Sequence, residues 1–167
     1  MTAPRRIWGI TGWKNTGKTT LTERLVAEMT GRGLRIATVK HAHHAAEIDH
    51  PGRDSYRHRQ AGAGQVILAS PARWALMTEL GGAPEPPLEA LLTHLAPCDL
   101  VLVEGYKTAS HPKIEAHRAA AGRALLAPAN PTIRAIASDT PLESPLPRFD
   151  LDEIPAIADF ILAEVGL

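Results

Sequence analysis

GWKNTGKTT, residues Gly12–Thr20, leaves the apolar run Ile7-Trp8-Gly9-Ile10-Thr11 and enters a segment of helical periodicity. From Gly12 to Thr19 it fits G-x-x-x-x-G-K-[ST] at every position, the pattern of a phosphate-binding loop. Gly12 and Gly17 permit backbone conformations that turn the N–H groups of Trp13, Lys14, Asn15 and Thr16 towards one anion. The first helical turn, with Thr19 and Thr20, adds unpaired N–H donors and the positive end of the helix dipole. Lys18 can reach the β- and γ-phosphates, where it acts on transferred charge, and the Thr19 hydroxyl is placed for magnesium. A glycine-rich turn that merely caps a helix is the plainer reading. The strand before the loop and the amphipathic helix after it favour the phosphate site.

A phosphate loop of this kind needs an acid near the magnesium. Asp99-Leu-Val-Leu-Val-Glu104-Gly105 supplies one, as an apolar strand that ends in Glu104. Ligands of parallel sheets bind at the carboxyl ends of the strands, which is where Glu104 emerges. The alternative is a carboxylate that caps the strand and pairs with Lys107.

The remaining elements read outward from these two. The helix runs from Lys18 to about Thr30, with Leu21, Leu25, Val26 and Met29 on one face, and Gly31 and Gly33 close it. Leu34 to Lys40 is a second strand, and strand–helix–strand within so short a span implies a parallel sheet. A helix is expected from Asp54 to Ala61, and strands at Gln65–Ser70 and Arg73–Thr78 form an antiparallel hairpin around Pro71. A short helix follows from Leu88 to Leu95. Lys113–Arg118 and Thr132–Asp139 are further strands, the tail before Asp150 is irregular, and Asp152 caps a last amphipathic helix. The expected fold is α/β: a phosphate-loop NTPase with a mostly parallel central sheet flanked by helices, plus the hairpin. Residues 1–167 form one nucleotide-binding domain, with no internal repeat.

The segment Lys40-His41-Ala42-His43-His44 leaves three readings open. Imidazoles suit zinc or nickel. The same loop leaves strand two beside the phosphate loop, so it could face the γ-phosphate together with Asp49, Arg53 and Asp54. It could also be a solvated loop.

Composition narrows the classes. Eighteen basic and eighteen acidic residues cancel in a chain of 167, so no global field draws the protein to nucleic acid or an anionic membrane. The lone Cys98 excludes an intrachain disulfide framework and a cysteine-built zinc site. No run approaches the roughly 20 apolar residues of a membrane span, and nothing resembles a signal peptide. The expected compartment is the cytoplasm.

The stretches GWKNTGKTTL, VKHAHH, DHPGRDSYRHRQAGA, RWALMTE, LVEGYK, PKIEAHR and AIASD occur in one order along the chain. In that order they resemble the MobB family, molybdopterin-guanine dinucleotide biosynthesis protein B, over almost the whole chain. The resemblance implies a P-loop GTP-binding protein with weak GTPase activity that forms homodimers. It also implies an accessory role beside MobA, the guanylyltransferase that joins GMP to molybdopterin, with molybdopterin or its guanine dinucleotide as a further partner. Carried over by position, Gly12 to Thr20 hold GTP and Mg²⁺, Glu104 is the acid at the metal, and Asp54 is a switch-like catalytic ligand. One departure concerns the base. GTP-binding proteins commonly read guanine with Asn/Thr-Lys-x-Asp after a strand, and Ile136-Ala-Ser-Asp139 keeps only the acid. Asp139 is therefore the candidate base reader, since a carboxylate accepts from both guanine N1–H and the 2-amino group.

Two other readings compete. A small-molecule kinase would use Arg53, Arg57 and Arg59 as a lid, and a metallochaperone GTPase would use His41, His43 and His44 as ligands.

Overall fold

The structure is a computed structural model that describes residues 6–42 and 49–167. Among the described residues, eight strands and four α-helices follow in chain order. They are β1 (Ile7–Thr11), α1 (Lys18–Gly31), β2 (Ile36–Lys40), α2 (Asp54–Gln60), β3 (Gln65–Ala69) and β4 (Trp74–Thr78). Then come α3 (Leu88–Leu92), β5 (Leu100–Glu104), β6 (Lys113–His117), β7 (Ile133–Ser138), β8 (Arg148–Asp150) and α4 (Ile154–Val165). They fall into two compact units, Met1–Ala42 with Ala96–Leu167, and His43–Leu95.

The first unit holds a six-stranded sheet in the order β2-β5-β1-β6-β7-β8, and every pairing in it is parallel. Parallel neighbours need long crossovers, and a strand covered on both faces reads as a continuous apolar run. The run LVLVE of β5 fits this, with all five residues buried. Because the strands are parallel, their carboxyl ends share one edge. That edge collects the phosphate loop after β1, Lys40 at the end of β2, Glu104 at the end of β5, Arg118 after β6 and Asp139 after β7.

The two faces of the sheet differ in chemistry. Trp8 and Ile10 of β1, Leu100 and Leu102 of β5, and Ile114 and Ala116 of β6 belong to one apolar cluster with Leu21, Leu25 and Met29 of α1 and Ile157 and Ile161 of α4. Within it Trp8 meets Phe160 edge to face, with ring centroids 5.9 Å apart. Side chains on a strand alternate between faces. Lys113, Glu115 and His117 of β6 therefore share the other face, and all three are buried.

The hairpin β3–β4 pairs Gln65 with Thr78 through Ala69 with Trp74, as a two-stranded sheet of its own in the second unit. It is not an antiparallel edge of the central sheet. Val66 and Met77 are buried, whereas Trp74 is 67% exposed.

Two other expectations are corrected. The tail read as irregular ends in Arg148 and Phe149 of β8, whose three residues pair with Ile136, Ala137 and Ser138. So short an edge strand has no periodicity to reveal it. Asp152 does not cap α4: the cap position is Glu153, and no side chain bonds the helix end there. The Asp152 carboxylate instead pairs with Arg24 of α1.

Candidate functional site

The loop from Gly12 to Gly17 has the backbone that its sequence demands. Gly12 has φ 143°, Asn15 φ 64° and Gly17 φ 90°, and Asn is among the few side-chain-bearing residues that enter the left-handed region readily. A Cβ at Gly12 would lie 2.4 Å from the carbonyl oxygen of Ala116, so β6 itself requires glycine there. The Thr16 hydroxyl, almost fully buried, donates to the Trp13 carbonyl at 2.9 Å and braces the loop from within. Gly17 stands at the cap position of α1 with no side chain bonded to the helix end. The first-turn N–H groups therefore face the loop.

Lys18 donates to the Trp13 carbonyl at 2.5 Å, across the mouth of the loop. Burial pushes its ammonium below the ordinary lysine pKa, Glu104 pulls it back up, and Lys107 and Lys40 add to the lowering. An anion held there would offset that cost.

Glu104 and Thr19 are brought together from positions 85 residues apart. The Thr19 hydroxyl donates to Glu104 Oε1 at 2.8 Å, and the Lys40 ammonium lies 3.2 Å from Thr19 Oγ1 and 3.3 Å from Glu104 Oε1. Glu104 thus pairs with Lys40 and not with Lys107, whose ammonium stands 4.3 Å from the centroid of the Trp13 indole. A hydroxyl and a carboxylate side by side at a phosphate loop form the oxygen donor set that magnesium takes in company with phosphate and water. The residues fit the ion. A cavity of about 310 Å³ opens beside them, lined by Thr19, Thr38, Lys40 and Glu104.

The sequence placed Lys40 near the γ-phosphate only as part of the segment Lys40–His44, named Lys107 only as a partner for Glu104, and gave Arg118 no part in the site. The available signal was their place at the carboxyl end of a parallel strand or within three residues past it. A Cβ at Gly17 would lie 2.9 Å from Arg118 Nε, so the guanidinium rests on the phosphate loop.

Asp139 is exposed after β7, and its Oδ1 accepts the N–H of Ala119 at 2.9 Å. It lines a cavity of about 350 Å³ with Ser138, Thr140 and Arg148, to which no phosphate-loop residue contributes.

The expected sites in the second unit divide. Asp54 is exposed in the first turn of α2. Asp49 does not stand free for a phosphate or magnesium: it is buried and paired with Arg59, which also pairs with Glu79 at 2.5 Å. The Arg59 guanidinium beside it holds the Asp49 carboxyl below its usual range. Arg59 is equally committed and is no free lid arginine. Of the histidine cluster, His43 and His44 lie outside the described residues. His41 packs against Tyr106, with ring centroids 4.7 Å apart. Among the described residues, no three His, Cys, Asp or Glu side chains are grouped to hold a metal, and no helix is long and apolar enough to cross a membrane.

Comparisons with known proteins agree on one family. The model of MobB, molybdopterin guanine dinucleotide synthesis protein B, matches residues 7–139. The molybdopterin-guanine dinucleotide biosynthesis adapter protein of Haemophilus influenzae is 43% identical over 159 residues, covering 92% of this chain and 85% of that one. Its Escherichia coli counterpart is 40% identical, covering 90% and 87%. The crystal structure of a MobB homologue from Bacillus stearothermophilus superposes with a TM-score of 0.68 at 30% identity, over 96% of this chain and 97% of that one. With the family's model spanning the phosphate loop, the acid and the parallel strands up to Asp139, this chain belongs to the MobB family.

Proposed function

We propose that this protein binds GTP with Mg²⁺ and serves as an adapter in molybdopterin guanine dinucleotide synthesis, beside a MobA-type guanylyltransferase. The observation that carries the nucleotide half is the Thr19–Glu104 contact at 2.8 Å at the start of the helix that follows the loop Gly12–Gly17, whose Gly12, Asn15 and Gly17 have positive φ. A merely structural turn has no need of a carboxylate from a distant strand at its helix start. The adapter half rests on the names of the Haemophilus influenzae and Escherichia coli relatives.

In this reading the N–H groups of Trp13 to Thr20 cradle the phosphates, and Lys18 exchanges the Trp13 carbonyl for phosphate oxygen. Thr19 and Glu104 would hold magnesium, which would supply positive charge to neutralise the phosphates. Asp139 accepts from the guanine edge, and Asp54 acts as a switch-like ligand. Hydrolysis is weak, the working form is a cytoplasmic homodimer, and molybdopterin or its guanine dinucleotide is the further partner. The kinase reading loses Arg59 to its ion pairs, so the adapter reading stands ahead of it.

The test is co-purification of tagged protein with the guanylyltransferase, with mass spectrometry of the bound nucleotide, for the wild type and Lys18→Ala. Guanine nucleotide and the enzyme should both come with the wild type, and the variant should lose the nucleotide. A folded Lys18→Ala protein that retains GTP removes the phosphate loop from nucleotide binding.

A further inference from the structure

Arg118 is set apart by lacking a partner while partly buried. Arg24, Arg32, Arg35, Arg59 and Arg134 each meet a carboxylate, and the other arginines without an ion pair among the described residues are exposed. Among the described residues, the Arg118 guanidinium has no hydrogen bond or ion pair, although it is only partly exposed. It lies against the Gly17 backbone. A guanidinium is costly to hold unpaired in a partly desolvated place, and its planar fork matches phosphate oxygens.

The segment that presents it is tied down from three sides. Ala119 N–H donates to Asp139 at 2.9 Å, next to Arg118 itself. The Trp13 indole N–H donates to the Ala124 carbonyl at 2.8 Å, joining the segment to the phosphate loop. Buried Glu115 accepts the N–H groups of Leu126 and Ala127 at 2.8 and 2.9 Å. Such tethers pre-organise a side chain and lower the ordering cost of binding.

Sheet order says which part of a nucleotide this arginine meets. Along the ligand edge the strands run β5, β1, β6, β7. Glu104 and Thr19, which would hold magnesium, mark the β5 side, and the β- and γ-phosphate end of the nucleotide would lie there. Arg118 stands on the opposite side of the loop, after β6. A nucleotide laid with its metal-bearing end at Glu104 brings its α-phosphate to β6.

We propose that Arg118 is a phosphate ligand supplied by the chain itself, which binds the α-phosphate of the nucleotide from a segment held against the phosphate loop by Asp139, Trp13 and Glu115. The inference rests on the nucleotide-binding reading and adds a binding residue and its target atom group.

Competition of GMP, GDP and GTP against N-methylanthraniloyl-GDP tests it, with and without magnesium, in wild type, Arg118→Ala, Arg118→Lys and Lys18→Ala. An α-phosphate ligand touches all three nucleotides. Arg118→Ala should weaken each by a similar factor, roughly ten- to a hundred-fold for a charge-assisted hydrogen bond, whether or not magnesium is present. Arg118→Lys should recover part of the loss, and Lys18→Ala should spare GMP. The thermal midpoint without nucleotide should be unchanged in both Arg118 variants, and if the alanine variant misfolds the lysine variant decides. Unweakened binding in a folded Arg118 variant, beside a wild type that binds, overturns this inference alone. A loss confined to GTP overturns the α-phosphate assignment. A wild type that binds none of the three overturns the nucleotide-binding reading and this inference with it.

Discussion

At the scale of single residues, the buried polar face of β6 offers the sharpest tests. Lys113 is fully buried, and its ammonium donates to the His111 carbonyl at 2.8 Å and to Thr132 Oγ1 at 2.9 Å, as well as to the Ala109 carbonyl. No carboxylate is among its partners, and burial lowers its pKa from 10.5 to about 8. Between those values the unfolded chain binds the proton that the folded chain has released, so stability rises with pH. The stabilisation is complete above 10.5 and is lost as pH falls through 8. Urea midpoints of the wild type should therefore climb from about pH 7.5 to about pH 10 relative to those of Lys113→Met. Parallel pH profiles would mean that the folded and unfolded states share one pKa. Asp139 allows a different separation. Asp139→Asn keeps an oxygen for the Ala119 N–H while replacing the second acceptor with a donor. GTP affinity should fall relative to xanthosine triphosphate, whose 2-oxo group accepts from the new amide. If the ranking of GTP, ATP and XTP does not move, Asp139 is a tether and does not read the base.

At the scale of elements, the hairpin β3–β4 stands out. Alternation places Val66 and Met77 on one face and Ile67, Trp74 and Leu76 on the other. The first pair is buried, while Ile67 and Trp74 are 65% and 67% exposed. A two-stranded ribbon is marginal by itself, and an apolar outer face invites cover. The homodimer expected of this protein would supply it from a second copy. Ile67→Lys with Trp74→Lys should shift sedimentation from dimer to monomer at micromolar concentration, while circular dichroism stays native. A double variant that still sediments as the wild type does moves the dimer contact elsewhere.

At the scale of the whole molecule, a ligand that binds only the folded chain raises its stability by mass action. GTP with magnesium at about a hundred times its dissociation constant adds about 2.7 kcal/mol, roughly 5–10 °C in thermal midpoint for a chain of this length. Calorimetric scans should show that shift for the wild type and none for Lys18→Ala. Equal shifts in both proteins would place binding outside the phosphate loop. The balanced charge bears on the same level: with no net field, an anion would have to be held by local geometry, such as the clustering of Lys18, Lys40, Lys107 and Arg118 along one sheet edge.

Local signals carried much of this architecture. The phosphate loop was legible because each of its positions has a backbone or chemical reason, and β5 because an apolar run closed by an acid is interpretable without context. The helix α1 and the hairpin were legible from periodicity and turn residues. Sequence could not reveal β8, whose strand character comes from pairing with β7, or the release of Asp152 from its capping role to Arg24. The engagement of Asp49 by Arg59 was equally hidden, since a carboxylate near a motif looks available until its partner is seen. Local preference along the chain determined the loop and most of the elements. Only the tertiary structure decided which distant side chains meet at the sheet edge. Parallel pairing aligns strand ends that lie far apart in sequence, as with Thr19 and Glu104, and no local rule encodes that register.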